Sequence, residues 1–338
     1  MNYGKRSTSK KRNALISRTS MLEKRAHVSF IRVLFTALIA VCVMVICLGI
    51  GSFRGVIAGA PDVNDVDISP LGYATFLYDD QGTQIRQLSA PTSNRLPVSL
   101  DQIPVSLQHA VVAIEDERFY EHDGVDFKGI LRALWTDLRN GSTSQGASTL
   151  TQQLIKNNVF EAGGESNIIA KIKRKIQEQY LAVQIEKQMS KNEIITDYLN
   201  TINLGKGNLG VETASKYYFG KSAKNLTLSE CAVLAGITKN PTYLNPVDYP
   251  EANDARRKLI LKKMYQLNYI SAKEYQQASE DNVYAKIKSH TAKGNKNSVY
   301  SYFVDAAINQ VQKDLVEKAG YSETQAFNAL YSSGLKIY

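Results

Sequence analysis

The sequence contains few cysteines and histidines, and this scarcity excludes two kinds of site. Three cysteines and four histidines are spread over 338 residues. Cys42 and Cys47 lie in one long apolar run, so Cys231 stands alone in the rest of the chain and no disulfide framework is expected. The histidines do not have the spacing of metal ligands. They are His27, His109, His122 and His290.

Net positive charge is scarce outside the first 32 residues, which argues against a nucleic-acid-binding body. The formal net charge is +9, but residues 1–32 hold nine Lys and Arg side chains against the single acid Glu23. The other 306 residues carry 32 basic and 31 acidic side chains. Because a nucleic-acid footprint requires a basic surface, no nucleic-acid partner is predicted.

One long hydrophobic run, residues 33–53, has no charged residue and is flanked by Arg32 and Arg54. A helix of this length reaches about 30 Å, which is enough to cross a bilayer. A buried helix and a cleavable signal peptide, with a processing site at 58–60, are the alternatives. The run exceeds a usual signal core and Pro61 follows the processing site, which favours an uncleaved anchor. We therefore predict a bacterial single-pass membrane protein with a cytoplasmic basic tail (1–32) and an extracytoplasmic body.

The rest of the chain is predicted to be mainly α-helical. Residues 54–70 are predicted to be a juxtamembrane linker, and 73–88 to form a small β-hairpin around Asp79-Asp-Gln-Gly82. Helical patterns follow from Asp101, with an exposed connection at 286–299 and a last helical piece at about 300–330. Four capping boxes mark helix starts. They are Ser190/Glu193, Thr227/Glu230, Ser271/Glu274 and Ser322/Gln325.

The most chemically loaded stretch is residues 114–124, Ile-Glu-Asp-Glu-Arg-Phe-Tyr-Glu-His-Asp-Gly. Leu107, Val111 and Ile114 predict an approaching helix with one apolar stripe. Glu115 lies one position past that stripe, near the helix end, where its carboxylate can be partly desolvated yet open to a ligand. Such a position suits a general base or acid. Taken alone, the stretch fits equally well a charged helix end that turns into a loop.

Two further segments present polar helix faces. Residues 146–157 predict a helix opened by a hydroxyl residue, with Thr149, Gln152, Gln153 and Lys156 on one face, suited to phosphate or sugar oxygens. In the next segment the predicted buried stripe is Ile169, Ile172, Ile176, Tyr180 and Val183. Lys171, Arg174, Lys175 and Glu178 project from the other side. Solvated faces with ordinary salt bridges are the alternative, whereas a cationic face around a carboxylate also suits a diphosphate leaving group.

Five stretches in this order, behind one anchor, resemble the peptidoglycan glycosyltransferase (transglycosylase) domain of class A penicillin-binding proteins. Glu115-Asp-x-x-Phe119-x-x-His122-x-Gly124 is similar to the family's first motif, and Gly146-x-Ser-Thr-x-Thr-Gln-Gln153 to the second. Arg174-Lys-x-x-Glu178, residues 191–200 and residues 256–261 are similar to the other three, with Ile260 where Val is usual. The resemblance covers residues 71–285, and the order of five motifs makes it specific.

The resemblance implies a lysozyme-like, two-lobed domain that polymerises lipid II into glycan strands by an inverting mechanism. It implies Glu115 as general base and Glu178 as the second catalytic carboxylate, which acts on the diphosphate directly or through a divalent cation, Mg or Mn. The sequence requires no cofactor. The implied substrate-binding residues are Arg118, Phe119, Ser148, Gln152, Gln153, Lys156, Arg174 and Lys175. The implied structural supports are Asp116, His122 and Arg256.

The resemblance also implies partners and surroundings. They are lipid II, the growing lipid-linked strand, the membrane and other cell-wall synthesis or division proteins. Residues 127–145, with Leu131, Leu134, Trp135 and Leu138, match a mobile part that touches the membrane. Residues 286–338 resemble the lead into a transpeptidase domain. Ser333-x-x-Lys336 has no Lys-Thr-Gly partner in the sequence, so no transpeptidase activity is expected.

Two other functions fit parts of the pattern. A lysozyme-like helix that ends in Glu also serves membrane-anchored enzymes that cleave glycan, but a second carboxylate on a cationic helix favours departure of a diphosphate. A non-catalytic cell-wall scaffold would keep the fold only to bind lipid II or proteins. The presence of both Glu115 and Glu178 argues against it.

Overall fold

A computed structural model describes residues 8–13, 18–70, 72–90, 93–140, 146–160, 167–292 and 302–338. The chain divides into two compact units between Ala60 and Pro61. The first contains helix α1 (Arg18–Ala58), which is longer than the predicted span at both ends. Its stretch Arg25–Ala58 is the one helix, among the described residues, that is long and apolar enough to cross a membrane. The predicted apolar span is therefore confirmed as a helix.

The second unit begins with the predicted hairpin, which gains a strand from the far end of the chain. Strands β1 (Thr75–Tyr78) and β2 (Gln84–Leu88) are antiparallel, with Thr75 opposite Leu88. The side chain of Asp79 accepts hydrogen bonds from the backbone of Gln81 and Thr83, which closes the turn. Strand β3 (Lys336–Ile337) pairs in parallel with β1, giving the order β2-β1-β3. The sequence reasoning missed this strand.

Helices make up most of the second unit, as predicted. Those that carry or follow the five motifs are α2 (Val105–Glu115), α3 (Phe127–Asn140), α4 (Leu150–Asn158), α5 (Ile168–Ile185), α6 (Lys191–Thr201), α7 (Val211–Phe219), α8 (Leu228–Ile237) and α9 (Pro250–Gln266). The remainder are α10 (Ala272–Glu280), α11 (Val283–Ala292), α12 (Tyr302–Glu317) and α13 (Glu323–Ser332). The four predicted capping boxes all form, at the starts of α6, α8, α10 and α13.

The helices of the second unit pack around α8 in one large hydrophobic core. Every residue of α8 after Leu228 is buried, and the helix packs against α2 and α9. The core takes in Leu107 and Val111 of α2, as the apolar stripe predicted. A second, small core joins the sheet to α12 and α13 through Leu77, Leu88 and Leu330. The packing of α2, α8 and α9 therefore fixes the ends of three helices with respect to one another.

Two predictions about local structure are wrong. The proposed buried stripe of α5 faces outward at its start, where Ile169 and Ile172 are 71% and 56% exposed. The face with Gln177 and Glu178 is buried instead, and Lys175 beside it bonds both Glu178 and Gln152 of α4. The exposed connection predicted from residue 286 is also corrected. Helix α11 continues to Ala292 with Ile287 buried, and 293–299 lie outside the described residues.

Candidate active site

A cleft of 740 Å³ contains both predicted catalytic carboxylates. Glu115 enters it from the end of α2 and Glu178 from the middle of α5. The other acidic residues that line it are Asp116, Glu117 and Asp126. The basic residues that line it are Arg132, Lys156, Lys175, Lys239, Arg256 and Lys263. The cleft therefore has a wall of mixed charge with more cationic than anionic side chains.

Glu115 is held by one neighbour on each oxygen. The amide of Gln153 donates to Oε2 at 3.1 Å, and the hydroxyl of Thr238 lies 2.6 Å from Oε1. The Arg256 guanidinium stands 3.9 Å from Oε1. Burial lowers the pKa of Arg256 and Glu115 opposes that effect. These donors fix the carboxylate in a partly exposed position on the cleft wall, which is the position that a general base requires.

The orientation of the Gln153 amide is set by Tyr198 from α6. The buried Tyr198 hydroxyl donates to Gln153 Oε1 at 3.1 Å, which leaves the amide nitrogen for Glu115. Burial, with the nearby Glu115 and Asp116 charges, raises the pKa of Tyr198 well above its ordinary value. The phenol therefore remains a donor at neutral pH. Tyr198 belongs to the fourth motif and Gln153 to the second, so the fourth motif acts on Glu115 through the second.

The start of α4 is fixed by the loop that contains Gly124. Thr149 caps the helix, and its hydroxyl donates to the Gly124 carbonyl at 2.8 Å. The amide of Gln152 donates to the same carbonyl at 3.1 Å. At the φ of +87° that Gly124 adopts, any added Cβ would lie 2.5 Å from the Ala182 backbone. Only glycine lets this loop approach α5 so closely.

Asp116 and His122, which were predicted to be structural supports, lie between α2 and α4. Asp116 is buried, accepts from the backbone N–H of Leu150 at 3.0 Å, and faces His122 Nε2 at 3.0 Å. The other ring nitrogen, Nδ1, accepts from the Gly124 N–H at 3.2 Å. An accepting Nδ1 puts the ring hydrogen on Nε2, which donates to Asp116. The pair ties the end of α2 to the start of α4.

Glu178 is almost completely buried between two cations. Arg174 holds Oε1, and Lys175 Nζ lies 3.2 Å from Oε2. Lys175 also donates to Ser148 Oγ at 2.7 Å and to Gln152 Oε1 at 2.9 Å. Burial lowers the pKa of Lys175, while the Glu178 carboxylate opposes this. The second and third motifs therefore meet in one network on the cleft wall.

Of the remaining predicted residues, some line the cleft and others do not. Lys156 lines it, as do Ser148, Gln152, Gln153 and Lys175. Arg174 is not among the residues that line the cleft but pairs with Glu178, which does line it. Arg118 pairs with Asp126 at 2.5 Å and with Glu117 at 2.7 Å, beside a neighbouring pocket. The expectation that Phe119 lines the cleft is wrong. Its ring is fully buried in the core under the Lys191 ammonium, 4.6 Å from the ring centroid.

Two contributors to the site were missed or misplaced by the sequence reasoning. Thr238 is outside the five motifs, at the end of the apolar helix α8, and no local pattern singles it out. Arg256 was predicted to be a structural support, yet its guanidinium lies beside Glu115. Its place in the fifth motif marked it without revealing which side chain it would meet.

Comparison with known proteins assigns the family. A model of the transglycosylase family matches residues 81–265, more than half of the chain. That segment includes Glu115, Glu178 and Arg256. The chain belongs to the transglycosylase family. The cleft described above lies within the matched segment, so the site and the family assignment concern the same part of this transglycosylase.

Curated relatives extend the likeness beyond the transglycosylase segment. Penicillin-binding protein 1A of Clostridium acetobutylicum is 37% identical over 97% of this chain, and that of Clostridium botulinum 39% over 85%. Penicillin-binding protein 1A of Streptococcus oralis is 33% identical over 89%. The chain spans 41%, 35% and 44% of these relatives. A crystal structure of penicillin-binding protein 1A from Haemophilus influenzae covers 79% of this chain and 26% of its own, at 24% identity and TM-score 0.38.

Proposed function

We propose that this chain is a peptidoglycan glycosyltransferase that polymerises lipid II into glycan strands. The observation that carries the proposal is the presence of Glu115 and Glu178 in one cleft, inside the segment that matches the transglycosylase family. The two acids have different surroundings, one at the surface and one buried between cations. Different surroundings suit different roles in one reaction.

Glu115 is the general base of the proposed reaction. The 4-hydroxyl of the acceptor sugar attacks the anomeric carbon of the donor from the side opposite the diphosphate, and its proton passes to Glu115. The new C–O bond forms as the bond to the diphosphate breaks, which inverts the anomeric centre. Gln153 and Thr238 hold the carboxylate in position, so little reorganisation is needed at the moment of transfer.

The network around Glu178 serves the leaving diphosphate. Lys175 and Lys156 offer positive charge to the developing phosphate oxygens, and Ser148 fixes Lys175 through its hydroxyl. Glu178 keeps Lys175 protonated against the effect of burial. Both Glu178 oxygens already face Arg174 and Lys175, so the donor set does not fit a divalent cation bound there. Among the described residues no group of three metal-ligating side chains occurs either. Every step of the proposed reaction is therefore assigned to the chain's own side chains.

The membrane supplies the substrate in this proposal. Helix α1 anchors the chain, its basic tail stays in the cytoplasm, and the cleft works at the outer face. Helix α3 adds an exposed apolar face that contacts lipid. It consists of Phe127, Leu131, Leu134, Trp135 and Leu138, each more than half exposed. Lipid II and the growing strand are tethered to the same bilayer, which raises their effective concentration at the cleft. Cell-wall synthesis or division proteins are proposed partners.

The decisive test is polymerisation of purified lipid II by the full chain in detergent micelles. Wild type should make glycan polymer, and Glu115→Gln should make none while keeping the wild-type unfolding temperature. The matched control Glu121→Gln changes an exposed acid outside the cleft and should polymerise normally.

Incubation with finished glycan completes the design. Fragments from that substrate, without polymer from lipid II, would replace synthesis by cleavage. Equal background polymer from wild type and Glu115→Gln, with intact lipid II binding, would instead identify a scaffold.

A further inference from the structure

Thr238 has two oxygen neighbours but only one hydrogen to share between them. It follows the last residue of α8 and keeps helical backbone angles. Its Oγ1 lies 2.6 Å from Glu115 Oε1 and 2.9 Å from the Ala235 carbonyl oxygen. A hydroxyl is one donor and two acceptor lone pairs, so it can donate to only one of these oxygens at a time. The protonation state of Glu115 decides which.

With Glu115 ionised, the hydroxyl hydrogen points to the carboxylate, because a charged acceptor makes the stronger bond. With Glu115 protonated on Oε1, the acid can donate to Thr238 Oγ1 instead. The hydroxyl hydrogen then turns to the Ala235 carbonyl, in the last turn of α8, where not all carbonyls find partners within a helix. The Thr238 hydroxyl hydrogen therefore has an acceptor in both states.

The other groups that face Glu115 cannot change roles in this way. Gln153 presents its NH₂ group, because Tyr198 occupies its oxygen. Arg256 from α9 is a donor only, at 3.9 Å. Lys263 from α9 and Tyr198 from α6 also interact electrostatically with Glu115, and Asp116 follows it in the chain. Lysine has only donors and the Tyr198 hydroxyl is engaged with Gln153, so Thr238 is the partner suited to accept a hydrogen bond from the protonated acid.

We propose that Thr238 is a positioning residue that holds Glu115 as an acceptor before proton transfer and receives its hydrogen bond afterwards. The inference rests on the proposed function. The O–H bond of the attacking sugar 4-hydroxyl breaks, and a new O–H bond forms on Glu115 Oε1. Rotation of that O–H about the carboxyl C–O bond turns the hydrogen from the product to Thr238. The product oxygen is then free to leave, and the proton is lost to solvent before the next cycle.

The test compares Thr238→Val, which keeps the shape and removes the hydroxyl, with Thr238→Ser, which keeps the hydroxyl. Loss of one hydrogen bond to a charged group should lower kcat about tenfold in the Val variant, with KM for lipid II unchanged. The acid limb of its pH–rate profile should move to higher pH, because the carboxylate loses a donor. The Ser variant should retain most of the wild-type kcat. The matched control is Thr196→Val on α6, whose hydroxyl donates to the Asn192 carbonyl at 2.6 Å and lies outside the cleft.

Each outcome decides the question. A Val variant with wild-type kcat and pH profile overturns the inference, and so does a Ser variant as slow as the Val variant. Thermal unfolding of all variants is recorded first, and Thr238→Ala replaces the Val variant if that protein does not fold. A wild-type chain that makes no polymer overturns the proposed function itself. An active wild type beside an unaffected Val variant overturns the role of Thr238 alone.

Discussion

Replacing Gly124 by alanine should lower stability and activity together, because its position requires both a positive φ and close packing against α5. Its φ is +87°, in a region that L side chains rarely adopt, and an added Cβ would lie 2.5 to 2.8 Å from backbone atoms of Ala182 and Val183. Backbone cannot swing aside as a flexible side chain can. The loop or α5 must therefore move.

The expected magnitude has two parts. The left-handed backbone costs about 1–2 kcal/mol for a non-glycine residue. Forcing an extra carbon into a packed site costs roughly 1–3 kcal/mol more. The matched control is Gly207→Ala, at φ +73° with nothing within 4 Å of its added Cβ. The control should lose only the free energy that the left-handed backbone costs. The Gly124 variant should therefore be less stable than the control by at least about 1 kcal/mol.

Urea unfolding midpoints of both variants measure this difference, and lipid II polymerisation measures its consequence. The Gly124 carbonyl accepts from Thr149 and Gln152, and its N–H donates to His122. A shift of the loop therefore displaces the start of α4, and the Gly124 variant should lose most polymerisation while the control keeps it. Equal midpoints for the two variants would refute the close approach of this loop to α5.

Three further predictions concern single side chains. Tyr198→Phe frees the amide of Gln153 to turn its oxygen toward Glu115, so kcat should fall about fivefold at unchanged KM in steady-state lipid II assays. Burial and two neighbouring carboxylates raise the pKa of Asp197 to about 6, so the folded state binds more protons than the unfolded chain and stability falls as pH rises from about 4 through that value. Asp197→Asn should therefore raise the free energy of unfolding near neutral pH by about 1 kcal/mol, after allowance for partial exposure, and leave it unchanged in acid, as urea midpoints across pH would check. Trp135, the chain's one tryptophan, is 71% exposed on α3, and brominated lipid should quench its fluorescence in liposomes; unchanged emission would contradict membrane contact.

The fold elements that were predicted correctly have local causes. An uncharged run long enough for a bilayer gives α1, and a serine or threonine three residues before Glu or Gln gives each capping box. The turn chemistry of Asp79 gives the hairpin. The missed strand β3 pairs with β1 from more than 250 residues away, and nothing in a two-residue stretch specifies that partner.

The motifs identified which residues line the cleft, but they did not show what each side chain contacts. Glu115, Gln153, Lys175 and Glu178 could be nominated because their residue types and spacing suit the chemistry, and all four line one cleft. Phe119 could not be placed, because spacing in a loop does not say which way a ring turns.

By itself the sequence determined the mainly helical class, the membrane-length helix and the identity of the two acids. These depend on periodicity, residue type and length, which act over a few turns of chain. Only the tertiary structure decided that α5 buries its charged face rather than its isoleucines, and that Thr238 and Arg256 meet Glu115. The reason is physical. A buried carboxylate is stable only when cations or donors surround it. Glu178 takes its cations from its own helix, whereas Glu115 takes its donors from α4, the end of α8 and α9, whose arrangement follows from packing around the core.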